Sequence, residues 1–172
     1  MKEGKPQYNV YNTDAAWGAQ WNLSQLWTLA YPEYMSEYVS SHIQAYKDAG
    51  WLADGLANNR YVSGVGTNLL STIIAGAYQC GIRDFDTKLA YEACLKNELD
   101  GKDRPFGAGK VNTAEFVKYG YVPHQDQGEG YHETFMFSAS HTLEYSYSAW
   151  AVAQWAKSLG DTENYDKLMN LS

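Results

Sequence analysis

The run Ser140-His141-Thr142-Leu143-Glu144-Tyr145 holds two side chains able to exchange protons within one helical turn. His141 and Glu144 are three residues apart, so a helix presents them on one face. A carboxylate near a helix N-terminus is favoured by the macrodipole. Glu144 then either bonds the backbone around it or faces a cleft, where it would bind or protonate a hydroxyl; both readings stay open from the residues alone. Cleavage of a glycosidic bond generally takes two carboxylates about 5–10 Å apart. Asp54, Asp126, Glu129 and Glu133 lie in or beside long loops and are candidates for the second by position only, with a surface place expected for each.

Other constellations are weaker. His124, Asp126, Glu129, His132 and Glu133 crowd one loop and could hold a hard cation weakly. Their spacing matches no ligand pattern, so no metal site is expected in the chain. Gly64-Val65-Gly66-Thr67 precedes a helix, where amides can cradle an anion. No strand comes before it and no Lys follows, so a plain turn is expected. No GxSxG marks a nucleophile elbow. Cys80 and Cys94 fall in helical patterns without CxxC or Cys/His spacing, and two free buried thiols are expected.

Composition narrows the classes. A net charge of −7, with 13 scattered basic residues, argues against a nucleic-acid partner. No apolar run reaches the roughly 20 residues of a membrane helix. The chain carries 15 Tyr and 6 Trp, side chains with a flat apolar face and a polar tip; these suit a bulky helical core and equally a sugar-binding cleft.

The elements that must position these residues are helical. Residues 1–13 read as an irregular N-terminal segment and 14–172 as one helical domain. A helix is expected from Asp14, as N-cap, to Tyr31; it is apolar on most sides and so deeply buried. Pro32 suits the first position of the next helix and Gly50 its end. Within it Met35, Tyr38, Val39, His42, Tyr46 and Ala49 form the apolar face, and Glu33, Ser36, Glu37, Ser40, Gln44, Lys47 and Asp48 the polar one, with His42 a core histidine. Residues 51–67 read as a long loop. Helices follow over about 68–79, 86–99, 113–119, 140–159 and 161–171, with 120–131 a second long loop. About seven helices, several apolar on most sides and joined by long loops, fit a layered helical toroid better than a four-helix bundle.

Three stretches in order resemble one family. They are Pro32-Glu33 through Ala45-Tyr46 to Gly50-Trp51-Leu52; Ile74-Ala75-Gly76-Ala77-Tyr78 with Gly81-Ile82 and Ala90-Tyr91-Glu92-Ala93; and Gly120-Tyr121-Val122-Pro123 with Ser138-Ala139-Ser140-His141-Thr142-Leu143-Glu144-Tyr145 and Trp150. Together they resemble the catalytic domain of glycoside hydrolase family 92, calcium-dependent inverting exo-α-mannosidases. The resemblance implies an all-α fold, part of an (α/α)6 toroid. It implies an α-mannoside or related glycan as substrate, and a secreted or periplasmic protein. The family's acid, its base pair and most of its calcium site are expected beyond Ser172.

The sugar-site motifs diverge. Trp17-Gly18-Ala19-Gln20-Trp21 stands where the family has Trp-Asp-Thr-Tyr-Arg. Gly66-Thr67-Asn68-Leu69 stands near its Gly-x-His, without the His. Ser148-Ala149 replaces an Asp pair. Trp17, Trp51, His141 and Glu144 remain as substrate-binding candidates. Two alternatives follow: a non-catalytic glycan-binding relative, and a structural half-toroid that dimerises; the remainder of a parent polypeptide is expected as a further partner.

Overall fold

Pro32 and Gly50 bracket the first long helix as their chemistry dictates. Proline lacks the N–H that a first-turn residue leaves unbonded anyway, and Gly50 adopts the left-handed conformation (φ 79°) that ends a helix. The computed structural model describes residues 8–11, 16–58, 60–62, 66–124 and 137–172; the side chain of Trp17 is outside that description. Among the described residues the helices are α1 (Ala16–Ala19), α2 (Leu23–Ala30), α3 (Pro32–Ala49), α4 (Leu70–Gln79), α5 (Thr87–Leu99), α6 (Thr113–Tyr119), α7 (Ser138–Leu159) and α8 (Thr162–Met169). Seven of them have seven residues or more, as the periodicity predicts.

Local chemistry sets several ends. The Asp86 carboxylate accepts the Leu89 N–H and caps α5, and Asp161 accepts the Asn164 N–H and caps α8. Gly120 and Gly160 turn left-handed after α6 and α7. The apolar face of α3 is as expected for Met35, Tyr38, Val39, His42 and Tyr46, but Ala49 is exposed. Ser36 leaves the polar face and is buried, because its hydroxyl donates to the Asp84 carbonyl at 2.9 Å.

The core joins α3 to α4 and α5, these two to α7, and α7 to α8. α4 is covered on more than one side: Leu70, Ser71, Thr72, Ile73, Ile74, Ala75 and Ala77 are all buried. Trp155 of α7 is fully enclosed, stacked on Tyr78 at 4.5 Å and tilted against Tyr91 at 5.3 Å. Tyr91 in turn donates to Asp161, so the α8 cap is joined to α5.

Three expectations are corrected. The continuous helix over 14–31 is interrupted at Gln20-Trp21-Asn22 into α1 and α2, after the poor helix former Gly18. It is not deeply buried either: Trp21, Leu26 and Leu29 are exposed and Ser24 is the buried residue of α2, because α2 packs on α3 and α4 by one narrow side. Asp14 lies outside the described residues. The loop over 51–67 contains an antiparallel hairpin of β1 (Gly55–Ala57) and β2 (Arg60–Val62). Each strand has three residues, too short for a period-2 signal, and after the Ala57–Arg60 pair Asn58 takes φ 50°. Cys94 is buried but Cys80 is exposed, since it follows the last turn of α4 at the surface; both are free thiols.

Candidate functional site

Several polar residues of the interior converge on one corner, residues 66–68, just before α4. Gly109 N–H donates to the Leu52 carbonyl and Asp54 N–H to the Gly107 carbonyl, which lays 107–109 beside 52–54. This places Asp54 inside the protein, only 2 % exposed, rather than at the surface expected for it. Its carboxylate accepts the backbone N–H of Gly66 at 3.1 Å and of Asn68 at 2.9 Å. Asn68 is fully buried with φ 42°, a left-handed conformation that Asn tolerates better than most residues. Its side-chain amide donates to the carbonyls of Leu52 and Gly109. From α5, the Asn97 amide donates to the Asn68 carbonyl and to Ser71 Oγ. From α7, the Tyr145 hydroxyl reaches the Val111 carbonyl at 2.6 Å and the Gly66 carbonyl at 3.2 Å.

Behind the corner lies a buried ion pair between Glu98 of α5 and Lys110. Ser148 of α7 donates to the other Glu98 oxygen at 2.8 Å. The Lys110 ammonium sits 4.9 Å above the Tyr145 ring. Burial pushes the Lys110 pKa down, while the charge and hydrogen bond of Glu98 and, more weakly, the charge of Glu144 favour its protonated form. Burial first, then the Glu98 charge, pushes the neighbouring Cys94 thiol up, so it is not a thiolate nucleophile at neutral pH.

The residues singled out from sequence occupy distinct places. Trp51 is in the interior, its ring under the Lys96 ammonium at 4.1 Å and against Gly109. His141 is fully buried, stacked on Tyr145 at 5.4 Å and tilted against Phe137. Glu144, one turn along α7, is half-buried. His141 and Glu144 thus flank Tyr145 along α7, and Trp51 lies against Gly109, the chain neighbour of Lys110. Asp126, Glu129, His132 and Glu133 lie outside the described residues, and His124 is exposed. Among the described residues no three His, Cys, Asp or Glu side chains gather as a metal set. A groove of about 220 Å³ runs between α2 and α4, bordered by Gln20, Ser24, Thr28, Thr72 and Tyr147; none of Trp51, His141 and Glu144 lines it.

Sequence reasoning missed Asn97, Glu98, Lys110 and Ser148 as one network. The available signal was polar residues at inward positions of α5 and α7, which periodicity reads as breaks in an apolar stripe.

Comparisons with known proteins agree with this fold. The sequence model of the glycosyl hydrolase family 92 catalytic domain matches residues 1–172. A protein of Arthroderma benhamiae described as an uncharacterized secreted glycosidase is 33% identical over 140 residues, covering 78% of this chain and 17% of that protein. The family GH92 inverting mannosidase BT2199 of Bacteroides thetaiotaomicron superposes with a TM-score of 0.75 at 26% identity, over 92% of this chain and 21% of its own. The GH92 α-mannosidase BT3965 of the same organism, in complex with mannoimidazole, superposes with a TM-score of 0.79 at 22% identity, over 97% of this chain and 20% of its own. This chain therefore spans about a fifth of the length of these relatives, its helices form part of the helical toroid expected from sequence, and it belongs to the glycosyl hydrolase family 92 catalytic domain family.

Proposed function

We propose that this chain serves as a helical portion of an exo-acting α-mannosidase domain, with an α-mannoside or a closely related glycan as substrate and the remainder of a parent polypeptide as its partner. The superposition on an inverting mannosidase over nearly the whole chain carries this reading. Within it Glu144 is the group placed to accept or donate a hydrogen bond at a sugar hydroxyl. His141, Trp51 and Trp17 complete the proposed substrate-binding set. A secreted protein is proposed from the description of the Arthroderma relative. Calcium, which the family resemblance implies, finds no fit among the described residues. The buried carboxylates are already committed, Asp54 to two amides and Glu98 to Lys110 and Ser148, so no chemical step is assigned through the ion. The test is release of nitrophenol from a nitrophenyl α-mannoside by the parent polypeptide with calcium added. Turnover supports the reading, and a folded parent without turnover defeats it.

A second reading, glycan binding without hydrolysis, has its own observation. Two positions where the family motifs diverge are used here as joints of the fold: Asn68 ties Leu52 to Gly109, and Ser148 binds Glu98. Mannoside binding by the parent polypeptide without release of product would select this reading over the first.

A further inference from the structure

The corner at residues 66–68 is held from three directions, and two of its holders are chain neighbours of the buried ion pair. Asn97, which holds the Asn68 carbonyl, precedes Glu98; Val111, whose N–H donates to the Gly66 carbonyl at 3.3 Å, follows Lys110. Glu98 and Lys110 therefore fix the spacing between the two segments that flank the corner. Tyr145 lies under the Lys110 ammonium and clasps the Gly66 and Val111 carbonyls, closing the third side. The corner has the marks of a prepared site. Asn68 is held left-handed, and the buried oxygens Thr67 Oγ1, Asn68 Oδ1 and Asn97 Oδ1 have no hydrogen-bond partner among the described residues. Buried polar atoms are nearly always bonded, so these three oxygens leave acceptor capacity at the corner unused.

We propose that Glu98, Lys110 and Tyr145 form a positioning lock that sets the residue 66–68 corner, and Glu144, the chain neighbour of Tyr145 on α7, for glycan binding. The lock acts through other groups; none of the three is assigned contact with the sugar. The glycan part of this inference rests on the function proposed above, whereas the locking of the corner does not.

An ion pair kept only for stability is replaceable, since apolar residues of similar volume often substitute for a buried pair at no cost to folding. The combined variant Glu98→Met, Lys110→Met and Ser148→Ala, made in the parent polypeptide, uses that property. Tyr145→Phe is the milder second variant, because it removes one hydroxyl and keeps the ring. Hydrogen exchange is read at the Gly66 and Asn68 amides, and affinity is read with methyl α-mannoside. The lock predicts cooperative unfolding retained in at least one variant, with exchange at Gly66 and Asn68 at least tenfold faster while the amides of α3 and α8 hold their rates. It also predicts mannoside affinity down about tenfold. Unchanged exchange at the corner in a folded variant overturns the lock. A wild-type parent that binds no mannoside defeats the proposed function instead, and the exchange rates still decide the lock.

Discussion

The Asp54 carboxylate and the Asn68 backbone N–H meet at 2.9 Å in the interior of the protein, and the same carboxylate takes the Gly66 N–H with its other oxygen. One side chain from the loop before β1 thus dictates the backbone path into α4. Asp54→Ala leaves two buried N–H groups without their acceptor. Each such loss costs about 1–3 kcal/mol. Urea denaturation should show destabilisation of at least that size, with Asp54→Asn intermediate because its one carbonyl oxygen still accepts. A neutral Asp54→Ala variant would contradict the arrangement.

Gly109 lies against Trp51. Its φ of 60° is left-handed, and a Cβ built on it would fall 2.9 Å from the indole. Gly109→Ala should destabilise by about 1–3 kcal/mol through overpacking and backbone strain together. Quenching of Trp51 fluorescence by acrylamide should rise in the variant as the ring is displaced from under Lys96.

Much of the helical frame was legible in sequence, because its signals are local. Pro32 and Gly50, the Asp86 and Asp161 caps, and the glycines after α6 and α7 each act within a few residues of where they stand. The interruption of the first helix and the three-residue strands were not legible, since Trp21, Leu26 and Leu29 look like core in one dimension and are exposed in three. Of the residues at the interior corner, sequence singled out Asp54 by position alone and expected it at the surface, whereas it is buried. The network around Asp54, Asn68, Glu98 and Lys110 joins residues 12 to 50 positions apart, and no spacing rule connects them.

His42 makes the fold sensitive to acid. The ring is fully buried beside Tyr38 at 4.8 Å, and burial lowers its pKa from 6.5 to about 3. The folded state therefore binds fewer protons than the unfolded state across that window. This contribution is intact above pH 6.5 and is lost as pH falls toward 3, at up to about 1.4 kcal/mol per pH unit. Urea unfolding at pH 7 and pH 5 should give a smaller stability difference for His42→Gln than for the native sequence. Equal differences would show that His42 titrates normally.

Trp155 is the largest fully enclosed side chain among the described residues, stacked on Tyr78 and bounded by Tyr91. Trp155→Ala should cost about 3–5 kcal/mol. Phenylalanine at this position should recover a good part of that, because most of the enclosing contacts are to ring carbon. Thermal unfolding of the two variants side by side measures the difference.

The most direct measurement of the proposed function is the stereochemistry of the first sugar released from an α-mannoside by the parent polypeptide. Proton NMR at early times resolves the two anomers before they interconvert. Part of an inverting α-mannosidase domain predicts β-mannose first, with α-mannose growing in only by mutarotation. α-Mannose as the first product, or no release by a folded parent supplied with calcium, would contradict it.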